Sequence, residues 1–327
     1  MYLWEWLFYD NREPGDYERW KDKAEKRARE TGKPVVGPNV TESVSNTVTD
    51  SESIYAYNET YIDVRTPHDE KRGLVTLFLG IGGMAWLGVC IFALSLPSRT
   101  FMRGEHPVEL GFYFFCLTAL VVTFGSFYVY FKYLFQYLRL EAFTARRLIV
   151  RFNRITRKVY LLRPNNIGGI VTLDWNKTEA AVDPSMRREV LPGGGFLILG
   201  WEKGAVYDVD GHLKDDYEIT FVGRTARNGA ELLAFWEYIR RYMEIGPEAA
   251  PPPKKLLSKT PWPWLSFEAA WNTLPLRGLR ESGMWPMFVL VKLMLLPVTL
   301  IHATGHWISL LLCYEPKFPP SIKNAGK

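Results

Sequence analysis

Two stretches of the chain, Gly73–Ser98 and Leu110–Phe131, contain no Asp, Glu, Lys or Arg. A hydrocarbon core about 30 Å thick takes about 20 apolar residues of helix to cross, so each stretch is long enough to span. The pattern predicts spans at about 73–96 and 108–131, the first closed by Pro97 and the second opening after Pro107. So short a connection makes them antiparallel neighbours, a transmembrane hairpin over 73–131. Gly80, Gly82, Gly83 and Gly88 give the first helix a smooth surface for its partner.

After Arg147 the period changes to short β-branched or alternating runs broken by Gly, Asn and Pro. Leu148-Ile149-Val150 leads through Asn153-Arg154 to Lys158–Leu162, a hairpin. Further strands are expected at Gly169–Trp175, Glu179–Asp183, Gly195–Trp201, Ala205–Val209 and Tyr217–Val222, with a turn at Asp210-Gly211. An amphipathic helix over Ala230–Met243 closes the run, with Leu232, Leu233, Phe235, Trp236, Ile239 and Tyr242 on its apolar face. Short strands followed by one helix are the order of a small sandwich or barrel resembling pleckstrin-homology-like (PH-like) domains.

The whole then reads as an α+β membrane protein. Residues 1–72 form an N-terminal helix and loop region. The hairpin follows, then a strand-rich PH-like domain at 139–246, a Pro-rich linker at 247–261 and a membrane-associated region at 262–327. Near the start, Glu13–Thr31 reads as a surface helix with Pro14 at its entrance and Tyr17, Trp20 and Ala24 at helical spacing. Lys33–Asn58, with Pro34 and Pro38 as breakers, reads as a loop or one or two short strands. The aromatic-rich first nine residues pack on the protein or lie at a membrane interface. Asn39 and Asn58 head glycosylation-type triplets, too short a motif to weigh.

In the last region, Leu293–Tyr314 is 22 residues without formal charge. A third crossing would put Lys317, Lys323 and Lys327 on the side opposite the other basic flanks, so a re-entrant or interfacial segment is preferred.

Charge adds direction. The net charge of +5 over 327 residues does not point to a nucleic-acid partner. Around the spans, Arg65, Lys71, Arg72, Lys132, Arg139, Arg146, Arg147 and Arg151 outnumber Arg99 and Arg103 of the connecting loop by eight to two. Basic flanks stay cytoplasmic, so both large soluble portions are expected there. Cys90, Cys116 and Cys313 all sit in apolar stretches and read as small buried hydrophobes.

Candidate chemistry is sparse. His302 and His306 stand four apart on a helix, but without a Glu between them or a third ligand nearby the expectation is hydrogen bonding to backbone or neighbouring helices. Lys292 is expected to snorkel to headgroups. Gly193-Gly194-Gly195 reads as a hairpin turn, and Asp208, Asp210, Asp215 and Asp216 as a solvated turn without calcium-loop spacing. His68, His106 and His212 have no recognisable partner motif. No catalytic constellation, cofactor or metal is expected.

The most distinctive polar feature is Arg139, Arg146, Arg147, Arg151, Arg154, Arg157, Lys158 and Arg163, opposed locally only by Glu141. Such a run after a span attracts anionic lipid or a partner, or it simply enforces topology. Both readings stand.

Two adjacent spans, then Arg151–Tyr160, Gly169-Ile170-Val171 and Trp175, resemble an uncharacterised family of bacterial inner-membrane proteins, the DUF6708-like proteins, from about Tyr61 onward. Members of such families are often encoded beside type VI secretion cargo. The resemblance implies an accessory or immunity protein that captures a secreted toxin. The other class is a membrane-anchored sensor or scaffold binding lipid or a partner subunit. Transport would need the spans to oligomerise, and a homo-oligomer stays open.

Overall fold

The computed structural model describes residues 2–13, 15–31, 40–67, 72–104, 110–181, 190–273, 276 and 282–326. Pro14, Pro34, Pro38, Asn39, His68, Lys71, His106 and Pro107 lie outside the described residues. The protein is a mixed α+β chain in two compact units: one of Glu70–Thr144 and Pro261–Cys313, the other of Tyr2–Asp69, Ala145–Thr260 and Tyr314–Lys327.

The second unit holds all nine described strands: β1 Ile54–Tyr57, β2 Tyr61–Arg65, β3 Ile149–Asn153, β4 Lys158–Leu162, β5 Val171–Asp174, β6 Glu179–Ala181, β7 Val190–Trp201, β8 Val206–Tyr207 and β9 Glu218–Asn228. They form an antiparallel six-stranded sheet, β1-β2-β3-β4-β5-β8, and a three-stranded one, β6-β7-β9. The strand-rich domain therefore does not begin at 139. Its first two strands precede the two long apolar helices, and β2 pairs with β3 from Tyr61 opposite Asn153 to Arg65 opposite Ile149. Asn58 makes the β1–β2 turn, its Oδ1 accepting from the N–H groups of Thr60 and Tyr61. Gly193–Gly195 are not a turn. They lie inside β7, whose pairing with β9 slips on either side of Gly195.

Alternation along the strands sends Ile62, Val64, Val150, Phe152, Val159, Leu161, Val171 and Leu173 into one core with Trp175 and Trp201. Helix α6, Gly229–Glu244, supplies Leu232, Leu233, Phe235, Trp236 and Ile239 to it. Asn228 caps that helix by accepting from the Glu231 N–H at 2.9 Å. The N-terminal helices α1, Leu3–Asp10, and α2, Asp16–Thr31, belong here too: Tyr2 is buried with Leu148 and Ile167, and Tyr17 packs on Tyr217 and Ile219.

The Pro-rich linker is not a free spacer. Tyr57 donates to the carbonyls of Pro247 and Ala250, and the Leu257 N–H donates to the Ile54 carbonyl, which covers the β1 edge. The C-terminal tail also returns to this unit, with Tyr314 bridging Ala145, Phe318 against Tyr55 and Ile149, and Ala325 bonded to Asn153.

In the other unit, two helices are long and apolar enough to cross a membrane, Thr76–Thr100 and Leu110–Leu138. Their α-helical parts are α3, Gly82–Met102, α4, Leu110–Val129, and α5, Phe135–Leu138. Pro97 sits inside α3 and does not end it. Hydroxyls of Ser95, Ser98 and Thr100 bond to the carbonyls of Phe92, Ser95 and Leu96 around the proline. The second span runs past Lys132 to Leu138. Gly83 serves the expected smooth surface, since a Cβ there would meet the Tyr130 ring, whereas Gly82 and Gly88 face open space.

Beyond them lie α7, Pro263–Thr273, α8, Trp285–Met294, and α9, Leu296–Leu311. The last two are apolar enough to span together but are bent by 58° at Leu295. Pro297 has no N–H to continue the helix across that point.

Candidate functional site

The basic run that stands alone in the sequence is met, in the folded strand-rich unit, by acids and carbonyls from distant residues. Asp63 and Arg151 are direct cross-strand partners. Arg151 donates through Nε at 2.7 Å and Nη2 at 2.9 Å to the two oxygens of Asp63, and its guanidinium lies 3.7 Å from the Tyr61 ring centre and 4.1 Å from that of Phe318. Arg163 makes the same fork with Glu218, at 3.0 and 2.9 Å. Such bidentate pairs are among the stronger protein hydrogen bonds.

Arg157 donates to Glu244 and Asn176, and Lys158 lies 3.6 Å from Asp174. Arg146 and Arg147 share Glu315, and Arg147 also donates to the carbonyls of Ser258 and Lys259. Arg154 donates to the Glu59 carbonyl. All seven have their charge or their donors engaged inside the unit. Arg139 belongs to the other unit and is exposed.

A second ionic knot sits on α6. Glu237 is fully buried and accepts from Arg240, Arg241, the Ser43 hydroxyl and the Val44 N–H. Burial alone would raise this carboxyl, but the Arg240 and Arg241 bonds outweigh it and hold it at about 2. Glu244 is likewise lowered: burial opposes, and the bonds from Arg157 and from the Trp175 indole prevail.

The membrane-type unit has a polar joint of its own, centred on Glu141. This side chain is fully buried, and its Oε2 accepts from the N–H groups of Gly73 and Thr76 at 2.9 Å and from the Thr76 hydroxyl at 3.2 Å. These are first-turn donors of the first span, so the carboxylate caps its positive end. The Glu141 carbonyl receives Arg72 Nη2 at 2.6 Å, with Ser309 Oγ and Cys313 Sγ each at 3.1 Å.

Against this joint lies α9. His302 Nε2 is 2.9 Å from the Arg72 carbonyl, and His306 Nδ1 is 2.9 Å from Ser266 Oγ. The two imidazoles thus face different hydrogen-bond partners, one backbone and one on α7. Gly73 and Gly305 touch closely: a Cβ on Gly73 would stand 2.2 Å from the His306 nitrogen, and one on Gly305 would stand 2.5 Å from Leu77 and 2.6 Å from the Gly73 carbonyl. Lys292 does not snorkel. It is 5% exposed, donates to the Trp271 carbonyl and lies 4.3 Å from the centre of that indole.

The Asp208 loop is a solvated turn, as its sequence suggests. Asp208 Oδ1 accepts from the N–H groups of Asp210 and His212, and these bonds, led by that of His212, lower its carboxyl. Asp208, Asp210 and His212 converge there, with the last two exposed; Asp215 forms an exposed pair with Lys203, and Asp216 pairs with Arg12.

With the geometry in place, comparison with known proteins adds one relationship. Residues 217–326 match the model of a family of unknown function, DUF6708. The chain is DUF6708-like over that stretch, which holds β9, α6, the former linker, α7 to α9 and the tail. It begins beyond Arg151–Trp175, the residues that carry the resemblance in the sequence. No curated protein and no solved structure matches the chain.

Sequence reading finds the histidines, Lys292 and the basic run. It misses Asp63, Glu218, Glu237 and Glu244 as partners, and Glu141 as a cap. Local signals of polar contact were the Asn-x-x-Glu start of α6, Asn228 to Glu231, and the spacing of Glu237 from Arg240 and Arg241 on the same helix.

Proposed function

We propose that the chain is a non-enzymatic, membrane-anchored binding protein whose strand-rich unit receives a protein partner at the bacterial inner membrane. The observation that supports this most is connectivity. The strand-rich unit is assembled from Tyr2–Asp69, Ala145–Thr260 and Tyr314–Lys327, so its backbone passes into the membrane-type unit and back twice. A module tied at four points holds whatever it binds at the bilayer. Its arrangement, two antiparallel sheets and one long helix supplying the core, is compatible with a PH-like binding domain, with both soluble parts on the cytoplasmic side.

The partner class we favour is a secreted toxin domain, which makes the chain an immunity or accessory factor; here the support is the family resemblance. The test is a growth assay with the neighbouring-gene toxin expressed with and without this chain, followed by affinity capture of one on the other. Rescue with direct capture is expected, and absence of both sinks the toxin reading.

The competing reading, a sensor or scaffold docked on anionic lipid through Arg146 to Arg163, draws less support, because those side chains pair internally. Salt-sensitive binding to vesicles of anionic lipid, lost in Arg154→Ala and Arg157→Ala, would restore it.

A further inference from the structure

We infer that Pro261–Cys313 enters the bilayer and leaves it on the same face, as a re-entrant helical hairpin whose turning point is the Leu295 bend and whose outer surface is covered by lipid. This rests on the membrane reading above but not on the identity of any partner.

Three observations carry it. The first is connectivity: Thr260 and Tyr314 both belong to the strand-rich unit. A water-soluble unit occupies one side of a membrane, so the chain between these residues crosses an even number of times. The same reasoning makes two crossings of Glu70–Thr144, which holds the two long spans. Among the described residues between Pro261 and Cys313 there is one bent apolar pair, and a single crossing by it is excluded.

The second is burial. On α8 and α9 the buried side chains are Lys292, Thr299, His302, His306 and Ser309, all polar and each hydrogen-bonded or turned to protein, with only the small Ala303 beside them. The outward ones are apolar except Thr304, whose hydroxyl donates back to the Leu300 carbonyl: Met294 is 72% exposed, and Leu290, Leu293, Val298 and Ile301 are all near 60%. In water this distribution would be reversed. It is the one that a helix in hydrocarbon adopts, with polar groups satisfied inside the protein.

The third is length. Helix α8 has ten residues. At a rise of about 1.5 Å per residue it reaches about 15 Å, half of a core about 30 Å thick. The bend of 58° then turns the chain back. At the entrance, Trp262 and Trp264 stack at 4.6 Å and are both exposed, and Trp285 begins α8, a placement that suits the headgroup level.

The test uses the full chain in bacterial membranes. Short epitope tags are placed between Lys254 and Lys255, after Gly104 and after Lys327, and each is probed with protease in spheroplasts and in permeabilised cells. The tags at Lys254 and Lys327 are expected on one side and that at Gly104 on the other. A Lys327 tag sharing the side of Gly104 overturns the proposal. Release of the chain by alkaline carbonate would instead sink the membrane reading itself.

Depth is read separately, with nitroxides placed singly at Met294→Cys, Trp264→Cys and Leu312→Cys in a Cys90→Ala, Cys116→Ala, Cys313→Ser background that keeps wild-type tag topology. Oxygen accessibility is expected to place Met294 deepest by about 10 Å or more, given the length of α8. A Met294 label no deeper than the other two would mean a surface-lying pair and refute re-entry.

Discussion

Replacing Glu237 by Gln removes one negative charge from a site that two guanidinium groups, a hydroxyl and a backbone N–H converge upon. The folded carboxyl is held at about 2 against an ordinary 4.5. At about 1.4 kcal/mol per pH unit of displacement, ionised Glu237 contributes on the order of 3 kcal/mol at neutral pH. Its folded pKa is depressed, so this stability is present above about pH 4.5 and is lost as pH falls toward 2. By pH 3 about 2 kcal/mol of it is gone.

The Gln variant keeps one acceptor oxygen and has nothing to titrate. At pH 7 it should unfold about 6–12 °C earlier, taking about 2–4 °C per kcal/mol for a unit of this size. By pH 3 the gap should shrink to roughly a third. The assay is thermal unfolding in detergent of both proteins across pH 7 to 3, followed by protease cutting of the strand-rich unit. Equal midpoints at pH 7, or a gap that does not narrow with acid, would refute the assignment of charged Glu237 as the centre of this knot.

Three further outcomes are expected. Arg151→Ala should cost about 3–5 kcal/mol by leaving Asp63 buried and unpaired; a double-mutant cycle with Asp63→Ala, read by denaturant unfolding, should show strong coupling, and additive losses would count against the pair. Gly305→Val should drive a side chain into Leu77 and the Gly73 carbonyl, at a cost of about 1–3 kcal/mol, seen as a lower midpoint in detergent and faster cutting near Cys313; unchanged behaviour would mean that the contact is not closed. Glu141→Gln should weaken the cap on the first span by up to about 2 kcal/mol, with Arg72→Lys giving a smaller loss; a neutral Glu141→Gln in the same unfolding assay would remove the carboxylate from its role.

What the sequence made legible follows from the range over which each signal acts. Spans, strands from Leu148 to Val222 and the helix near 230–243 are written in local periodicity, and each was found close to its place. The β3–β4 hairpin and the polar use of His302 and His306 were readable for the same reason. What failed is remote: a count of charges between Arg139 and Arg163 cannot contain Asp63, Glu218 or Glu315, which arrive only when the chain folds. Pro97 misled because a proline in a span removes one backbone bond without having to end the helix, and α3 continues through it to Met102. The span's end at Leu138 was hidden because a single Lys132 reads as a boundary. Lys292 misled because snorkelling assumes no aromatic ring or carbonyl within reach.

The pairing of β2 with β3 also sets an order of events during synthesis. Arg65 leaves the ribosome long before Ile149, its partner across the sheet. At about 5–20 residues per second the interval is roughly 4–17 s, and the whole hairpin of spans is made within it. For that time β1 and β2 lack the neighbour that later covers them, so on the membrane reading proposed above the hairpin reaches the bilayer before the sheet closes. Nascent chains arrested near Leu138 should therefore be cut by protease between Ile54 and Arg65, and chains arrested well beyond Leu162 should resist. A fault in membrane insertion would then surface first as an open, sticky strand edge in the soluble part.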